Sequence, residues 1–258
     1  MKVLAVTQAR YGSTRLPAKI LKEVEGKTLL EIHLSRILQS KLIDKVKIAT
    51  TDEEGSKFIV AVADKVGVGY HKGSVDDVLT RFYDTALPEH PDYVVRLTSD
   101  CPLIDPSVID EVIQYCIDGD YDYASTDPEE FPDGLDTEVF RFSALEKAYR
   151  EAGMTSEREH VTPYIWKNGS ALGGTVFKSG RMSNRFGKYN ANDNRITIDE
   201  PEDFEVIKTL IQELGTEKHW KEYIDYLESH PNVKLLNSKF GYNEGYEKSI
   251  SSDKEIKK

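Results

Sequence analysis

Short apolar runs alternate with helical patterns along the first half of the chain. Val3 to Thr7, Val46 to Thr50 and Tyr93 to Thr98 are compact runs that contain β-branched residues, which is typical of buried strands. Between them, Leu29 to Leu38 and Phe58 to Val66 carry apolar residues at helical spacing. Strands separated by helices pair in parallel and need helices on both faces of the sheet. The alternation therefore predicts an α/β fold, a three-layer α/β/α Rossmann-like arrangement around a mixed, mostly parallel sheet.

Capping residues predict where two further helices start. Ser74 and Asp77 have the spacing of a capping box for a helix predicted over Val75 to Ala86. The dipeptide Asp105-Pro106 opens another helix, with the carboxylate as N-cap and the proline at the first helical position. This second helix is expected to end near Gly119.

The second half of the chain has a less regular pattern. Strands are expected at Tyr121–Ser125, Thr137–Phe142 and Arg195–Ile198, and helices at 143–151, 157–168, Pro201–Glu213 and Lys218–Leu227. After about Ser249 the sequence is small, polar and charged, so a flexible tail is expected over 249–258. No linker composition divides residues 1–248, which predicts a single domain.

The composition limits the partners and the compartment. Of 258 residues, 39% are hydrophobic and 31% charged, and the formal net charge is -11. A strongly acidic chain repels nucleic acid and anionic membranes, so neither is expected as a partner. Cys101 and Cys116 have no zinc-site spacing and fit a reducing compartment. The opening apolar run is too short for a signal peptide, and no stretch approaches the roughly 20 apolar residues of a membrane span, so a cytoplasmic location is expected.

A basic loop follows the first predicted strand. The first 22 residues contain five Lys or Arg and no Asp or Glu, although the whole chain is acidic. Such loops bind ligands at the carboxyl edge of open α/β sheets. Gly12, Ser13 and Thr14 would let backbone N–H groups and hydroxyls approach a phosphate. Three cations of the loop could neutralise a polyphosphate, namely Arg10, Arg15 and Lys19. The alternative is a solvated basic loop, and neither a Walker loop nor GxGxxG is present.

Two carboxylates at the ends of predicted strands could hold a divalent cation. Asp100 ends the strand YVVRLTSD, and Asp199 ends RITID. Acids at strand ends can converge at the carboxyl edge of one sheet, and carboxylate oxygens suit magnesium, Mg2+. The alternative for each is a helix cap or an exposed acid beside a helix start. Asp203, one turn into the next helix, is expected to stabilise the helix dipole.

The string QARYGSTRLPAKIL resembles the opening signature of the cytidylyltransferases that activate 3-deoxy-manno-octulosonate and acylneuraminates, and most of all their SpsF-like branch. That branch is associated with spore-coat and other surface polysaccharides. The resemblance implies a nucleotide-diphospho-sugar transferase fold and CTP as a substrate. In this family the signature binds the CTP triphosphate. The residues with that implied role are Gln8, Ala9, Arg10, Gly12, Ser13, Arg15 and Lys19.

Later blocks extend the resemblance. TSDCPLID and RITIDEPEDFE resemble family blocks with metal-binding aspartates, which implies that Asp100 and Asp199 hold Mg2+. The segment HKGSVDDVLTRFY, residues 71–83, is similar to family segments that approach the cytidine ribose and base. The residues with that implied role are Gly73, Ser74, Asp77 and Arg81. A capped amphipathic helix is the alternative interpretation of this segment.

Further candidates lie on the strand that ends at Asp100. Arg96 and Thr98 are two residues apart and share one face of that strand. A buried arginine needs an anionic partner, which here would be a ligand or Asp100. Arg96 is therefore a candidate for contact with the acceptor, and Thr98 for contact with the nucleotide.

The remaining acceptor candidates lie in the middle of the chain. Asp133, Asp136 and Glu138 flank a glycine turn and could bind sugar hydroxyls, with a solvated hairpin turn as the alternative. SEREHVTPYIW resembles a block of the SpsF-like branch, in which Arg158 and His160 could meet an acceptor carboxylate or phosphate. A structural role on a helix is the alternative for His160. The terminal GYNEGYEKSI also resembles that branch, without an assigned chemical role.

Together these residues predict an enzyme that transfers CMP from CTP to an acidic sugar or a related small acceptor and releases pyrophosphate, in surface polysaccharide biosynthesis. The catalytic candidates are Arg10, Arg15, Lys19 and Asp100. The nucleotide half is expected over about 1–120 and the acceptor half over about 121–248, and the resemblance implies a homodimer. Two alternatives stay open. A glycosyltransferase of GT-A-like architecture would usually show Asp-x-Asp where this chain has Asp-Cys-Pro, and a non-catalytic nucleotide-binding protein would not turn over CTP.

Overall fold

The computed structural model describes residues 1–13, 15–186, 193–242 and 244–256. Its strands are β1 (Val3–Gln8), β2 (Glu23–Val24), β3 (Lys27–Thr28), β4 (Lys45–Thr51), β5 (Gly69–Gly73), β6 (Tyr93–Thr98), β7 (Tyr123–Thr126), β8 (Glu138–Arg141) and β9 (Ser179–Met182). Its helices are α1 (Leu29–Ile37), α2 (Ser56–Val66), α3 (Val78–Ala86), α4 (Pro106–Asp118), α5 (Phe142–Glu151), α6 (Thr155–His160), α7 (Pro163–Lys167), α8 (Pro201–Leu214), α9 (Trp220–Ser229), α10 (Pro231–Lys234) and α11 (Glu244–Ser251). Thr14 of the basic loop lies outside the described residues.

Seven strands of the described chain form one sheet, in the order β5-β4-β1-β6-β8-β7-β9. The first four of these run parallel, β8 is antiparallel to both of its neighbours, and β9 is parallel to β7. β2 and β3 form a separate antiparallel pair. The prediction of a mixed, mostly parallel sheet is confirmed, and one continuous sheet carries both halves of the chain.

Helices cover both faces of this sheet. On one face, residues of α1, α2, α4, α8 and α9 bury a large apolar cluster that includes Leu34, Ile59 and Val112. On the other face, α3, α5 and α7 contribute residues such as Phe82 and Leu145 to a second cluster. The three-layer prediction is therefore confirmed. Among the described residues, no helix is both long enough and apolar enough to cross a bilayer.

The capping chemistry of α3 and α4 explains where these helices begin. Asp105 caps α4 by accepting a 2.8 Å hydrogen bond from the Ser107 N–H, as predicted. The helix predicted from Val75 begins instead at Val78, because Asp77 is the N-cap and accepts from the Thr80 N–H. Ser74 accepts from the Asp77 N–H at 3.1 Å and so stabilises the turn that precedes α3.

Two predicted elements in the second half are wrong. Residues 195–198 form no strand in the described chain and contribute only an isolated bridge between Asp133 and Arg195. The helix predicted over 157–168 is broken into α6 and α7, because Val161 has a φ of 73° and Pro163 starts a new helix. A positive φ is rare for a β-branched residue and indicates local strain.

The end of the chain differs from the predicted flexible tail. Residues 244–251 form α11, and the Asp253 carboxylate accepts hydrogen bonds from the Thr155 hydroxyl at 2.8 Å and the Ser156 N–H at 2.9 Å. The Ile256 N–H donates to the Gly153 carbonyl. The segment docks because Asp253 satisfies a free N–H of the first turn of α6. Lys257 and Lys258 lie outside the described residues.

Candidate active site

The candidate site lies at the carboxyl edge of the parallel strands. β1 and β6 are neighbours, with Gln8 opposite Thr98, so the basic loop after β1 lies next to the end of β6. The Ile198 N–H donates a 2.8 Å hydrogen bond to the Asp100 carbonyl. This bond brings Asp199 beside Asp100 although residues 195–198 are not a strand.

Lys19 joins the two aspartates. Its Nζ donates to Asp199 Oδ1 at 2.9 Å, to Asp100 Oδ2 at 3.1 Å and to the Ile198 carbonyl at 2.7 Å. Burial lowers the pKa of Lys19, but attraction to both carboxylates outweighs burial and raises it. Burial would raise the pKa of Asp100, but Lys19 and nearby hydrogen bonds hold it at about 2. Lys19 and Asp100 are therefore both charged at neutral pH.

Two arginines contact different oxygens of Asp199. Arg15 pairs with Asp199 at 2.8 Å and with Glu200 at 3.1 Å. Buried Arg195 approaches the other oxygen of Asp199 at 3.4 Å, and it also pairs with Asp203. Burial alone would lower the pKa of Arg195, but its carboxylate partners outweigh burial and raise the pKa above its ordinary value.

Asp203 has a larger role than the predicted stabilisation of a helix dipole. It is fully buried, and its Oδ2 accepts from the N–H groups of Asp199 and Glu200 at 2.9 Å each. Together with its ion pair to Arg195, these hydrogen bonds fix the backbone that carries Asp199.

One cleft at this edge, called the nucleotide cleft below, brings together many of the residues predicted to bind the nucleotide and has a volume of about 520 Å3. The predicted nucleotide-binding residues in its lining are Gln8, Ala9, Arg10, Ser13, Arg15, Lys19, Asp77, Arg81 and Thr98. Gly12, Gly73 and Ser74 lie beside the lining. A Cβ on Gly12 would approach Glu53 Oε1 to 2.9 Å, and one on Gly73 would approach Arg81 Cγ to 3.3 Å, so both glycines permit close packing.

Arg81 and Arg158 form the far wall of this nucleotide cleft. Arg81 donates to the Ser74 carbonyl at 2.6 Å, and burial, together with nearby Arg10, lowers its pKa to about 10. Arg158 was expected at the acceptor, but its guanidinium lies in the nucleotide cleft because it pairs with Asp77 at 2.7 Å. The nucleotide cleft thus holds more cationic groups than the basic loop alone provides.

A second cavity of about 430 Å3 adjoins the first and is called the acceptor cavity below. The predicted acceptor residues in its lining are Arg96, Asp133, Asp136, Glu138 and His160. Aromatic side chains complete it, namely Tyr123, Trp166, Tyr242 and Tyr246. The residues common to both cavities are Gln8, Arg15, Thr98, Asp100, His160 and Asp199. The two cavities therefore meet at the pair of aspartates.

Glu138 is the anionic partner of Arg96. The two side chains form an ion pair, and Arg96 also donates to Gln8 Oε1 at 3.4 Å. Glu138 Oε1 accepts from the hydroxyls of Tyr123 and Thr162, both at 2.6 Å. The sequence predicted that Arg96 would pair with a ligand or with Asp100. In the structure it pairs with Glu138 instead.

The other two acids of the acceptor cavity are also engaged by protein groups. Asp136 accepts from the Tyr242 hydroxyl at 2.6 Å and from the Gly134 N–H at 3.2 Å. Asp133 pairs with Arg195. Burial raises the pKa values of both Asp133 and Asp136. This region is a buried network of hydrogen bonds, which differs from the solvated hairpin turn that was the alternative.

His160 lies where the two cavities join. Its Nε2 is 3.0 Å from the Ser249 hydroxyl, and burial, with nearby Arg96, lowers its pKa. The strained turn at Val161 directs the chain from His160 to Thr162, whose hydroxyl binds Glu138. Backbone strain is often found at functional sites.

Sequence reasoning missed several residues of the site. Arg195 pairs with Asp199 and Asp203, but its position in a predicted strand gave no signal of these ion pairs. Tyr242 and Tyr246 lie in the terminal GYNEGYEKSI, which resembled a known block but had no assigned role. Trp166 had no signal beyond its place in a helical pattern.

Comparisons with known proteins show the family to which the chain is similar. A family model described as cytidylyltransferase matches residues 4–230. The spore coat polysaccharide biosynthesis protein SpsF of Bacillus subtilis is 36% identical over 224 residues, which cover 83% of this chain and 88% of that protein. An uncharacterized protein of Methanocaldococcus jannaschii is 36% identical over 245 residues, covering 92% and 95%. The structure of a cytidylyltransferase from Leptospira borgpetersenii aligns with a TM-score of 0.83 at 33% identity, covering 92% of this chain and 98% of that one.

Proposed function

Because this chain belongs to the cytidylyltransferase family, we propose that it transfers CMP from CTP to an acidic sugar and releases pyrophosphate. The pathway we propose is surface polysaccharide biosynthesis, since the Bacillus subtilis relative is named for such a process. The observation that supports a transfer reaction is the junction of two cavities at Asp100 and Asp199. A nucleotide in one cavity and an acceptor in the other would meet at these carboxylates.

The basic side of the nucleotide cleft suits the triphosphate. Arg15 and Lys19 contact the aspartates directly, and Arg10 lines the same cleft. We propose that an acceptor oxygen attacks the α-phosphorus, a new P–O bond forms, and the bond to the β-phosphate oxygen breaks. The three cations would stabilise the charge that develops on the departing pyrophosphate, and the acceptor proton passes to water.

Asp100 and Asp199 are the residues that would hold Mg2+. Carboxylate oxygens are the donors that magnesium prefers, and it usually binds through one or two carboxylates plus substrate phosphates. Among the described residues, no group of three or more His, Cys, Asp or Glu forms a metal site, so phosphate oxygens would complete the coordination. A bound magnesium ion would shield phosphate charge and lower the pKa of the acceptor hydroxyl.

The acceptor cavity suits a hydroxylated, acidic ring. Asp136 and Glu138 line this cavity and would accept hydrogen bonds from sugar hydroxyls. Arg96 and His160 line it as well, and we propose that they contact the acceptor carboxylate. We also propose a homodimer, following the family resemblance, and a cytoplasmic location. The two free cysteines are buried, which suits a reducing compartment.

Pyrophosphate release tests the function directly. The full chain is incubated with magnesium and with CTP, UTP, ATP or GTP, each against 3-deoxy-manno-octulosonate, N-acetylneuraminate and a neutral hexose as control. We expect pyrophosphate only with CTP and an acidic sugar. In a parallel incubation with a nucleotide-sugar in place of CTP, release of a nucleoside diphosphate would indicate a glycosyltransferase. Absence of pyrophosphate with every nucleotide and sugar would reject the proposed reaction.

A further inference from the structure

The C-terminal segment, residues 242 and 244–256 of the described chain, builds part of the acceptor cavity. It supplies Tyr242, Gly245 and Tyr246 to the lining. The family match ends at residue 230, so these three residues lie outside the part that defines a cytidylyltransferase. None of these three lines the nucleotide cleft, although Ile256 near the end of the same segment does. Changes at Tyr242 or Tyr246 can therefore affect acceptor binding without affecting CTP binding.

The C-terminal segment is attached to α6 at several points. Asp253 accepts hydrogen bonds from the Ser156 N–H at 2.9 Å and the Ser156 hydroxyl at 2.7 Å. The Ser249 hydroxyl is 3.0 Å from His160 Nε2. These contacts hold α11 against the helix that carries His160, so the wall has a defined position.

Tyr246 forms an aromatic corner in the acceptor cavity. Its ring lies 5.0 Å from the His160 ring at 84° and 5.7 Å from the Trp166 ring at 70°. The Tyr246 hydroxyl is buried and has no hydrogen-bond partner among the described residues. The ring, rather than the hydroxyl, is therefore the part of Tyr246 that the cavity presents. Aromatic rings pack well against the apolar C–H face of a sugar ring.

Tyr242 acts on the cavity through Asp136. Its hydroxyl donates to Asp136 Oδ1 at 2.6 Å, while the Gly134 N–H donates to Oδ2 at 3.2 Å. The carboxylate is thus held from two directions, one of them the C-terminal segment. Tyr242 is a positioning residue, since it orients the group that would bind a sugar hydroxyl.

We infer that the C-terminal segment selects the acceptor: the Tyr246 ring packs against the acceptor sugar, and Tyr242 positions Asp136 to bind one of its hydroxyls. The inference rests on the proposed function. It assigns acceptor recognition to residues beyond the matched family region, and CTP recognition to residues within it. Relatives with different C-terminal segments would then share the nucleotide site and differ in the sugar they accept.

Three tyrosine variants of the full chain test this inference. Pyrophosphate release is measured with CTP against 3-deoxy-manno-octulosonate and N-acetylneuraminate, and CTP affinity is measured separately by calorimetry. Tyr246→Ala should raise the KM for the acceptor about 10-fold or more, as expected for loss of an apolar contact with substrate. Tyr246→Phe keeps the ring and should remain within about 2-fold of wild type. Tyr242→Phe should raise the acceptor KM about 3- to 10-fold, as expected for a lost hydrogen bond. All three variants should bind CTP like the wild type.

Tyr70→Ala is the matched control, because Tyr70 is exposed on β5 and lies outside the lining of both cavities. Unchanged acceptor KM values in both Tyr246→Ala and Tyr242→Phe would overturn the inference and leave the proposed function standing. A loss of CTP affinity equal to the loss of acceptor affinity would indicate a merely structural role and would also overturn it. Absence of pyrophosphate with wild type and every acceptor would instead reject the proposed function, and the inference with it.

Discussion

The two cavities of the site are built in opposite ways. The cations that line the nucleotide cleft beside the aspartates, Arg10, Arg15 and Lys19, come from one loop of ten residues. The acceptor cavity draws residues from β6, β8, α6 and the C-terminal segment, which are far apart in sequence. A contiguous loop shows its chemistry in the sequence itself. A cavity assembled from distant segments does not, because its chemistry depends on which side chains meet.

The charges of the two cavities are also used differently. Arg15 remains 35% exposed beside the aspartates, so phosphate oxygens can reach it. In the acceptor cavity, Arg96 is 14% exposed and already paired with Glu138. Phosphate recognition therefore relies on accessible positive charge, whereas acceptor recognition relies on oriented hydrogen-bonding groups. This difference predicts that substitutions in the two cavities separate nucleotide effects from acceptor effects.

The largest effect is expected where the cavities meet. Asp100→Ala should reduce kcat at least about 1000-fold, because it removes a carboxylate that both cavities share and a proposed metal ligand. The fold should be retained, since the Asp100 side chain is a partner of Lys19 at the surface of the cleft. Asp64→Asn, on an exposed position of α2, is the control. Near-normal pyrophosphate release by Asp100→Ala would show that the junction is not the reaction centre.

The next largest effect is on the pH dependence of folding stability, through the buried His33 beneath the nucleotide side of the site. His33 of α1 is fully buried, with its ring nitrogens 2.9 Å from the Thr7 hydroxyl and 2.8 Å from the Cys101 carbonyl. Burial lowers the pKa of His33 to about 4, below the ordinary value of 6.5. Between these values the unfolded chain binds more protons, so stability rises with pH. The contribution of neutral His33 to the free energy of unfolding is therefore complete above about pH 6.5. As the pH falls to about 4, about 3 kcal/mol of this free energy is lost.

Urea unfolding from pH 4.5 to 7.5 measures this contribution. In His33→Gln the side chain cannot titrate, so we expect a shallower dependence of the unfolding free energy on pH than in wild type. His71→Gln on β5 is the control for removal of a histidine side chain. Equal slopes for wild type and His33→Gln would mean that this histidine is not held neutral beside the loop after β6.

Lys19→Met tests whether accessible charge drives the nucleotide side. We expect kcat to fall about 100-fold, the size seen when one preorganised charge donor is removed from an active site. The Km for CTP should also rise, because Lys19 lies in the nucleotide cleft. Lys22→Met is the matched control from the same loop, since Lys22 lies over the Phe204 ring and outside the lining of both cavities. Equal losses in the two variants would argue that general loop charge matters more than the position of Lys19.

The same contrast explains how much of the fold was predictable. β1, β4, β6 and α4 follow from local patterns and caps, and their observed bounds agree with the predictions within about two residues. Arg195–Ile198 has the alternation of a strand, but two of its N–H groups donate to the carbonyls of Asp133 and Asp100. Two of its carbonyls accept from the side chains of Asn237 and Lys19, so they do not pair with a neighbouring strand. The positive φ of Val161 was not visible, because nothing local distinguishes a valine with positive φ, but Pro163 did signal a break in the helix predicted over 157–168.

In the site too, sequence predicted the side chains that share one loop but not those placed by contacts between distant segments. The signature in the basic loop identified Arg15 and Lys19 as residues of one functional loop, and they do lie together with Asp199. The pairing of Arg158 with Asp77 crosses 81 residues and moved Arg158 from the expected acceptor side to the nucleotide side. The role of Tyr246 depends on the docking of α11, which no local pattern indicates.

On the acceptor side, Glu138→Gln should have a moderate and selective effect. The variant keeps the shape of the side chain but removes the charge that pairs with Arg96. We expect the KM for the acceptor sugar to rise about 10-fold while the KM for CTP stays within about 2-fold, since a charged hydrogen bond is worth about 1.5–3 kcal/mol. Glu129→Gln, in the exposed part of the preceding loop, is the control. An equal rise in both KM values would break the proposed separation of the two cavities.

The smallest effect is expected where the C-terminal segment attaches. Asp253→Asn weakens hydrogen bonds to Thr155 and Ser156 at the start of α6, which act as a cap supplied from a distant part of the chain. Losing a cap costs about 1 kcal/mol, or about 2–4 °C in Tm for a chain of this size. The acceptor KM should rise about 2-fold because the wall is held less firmly. Calorimetric CTP affinity should change less than this, although Thr155 and Ile256 line the nucleotide cleft. A fall in CTP affinity without any change in acceptor KM would place this attachment on the nucleotide side, reversing the comparison between the two cavities.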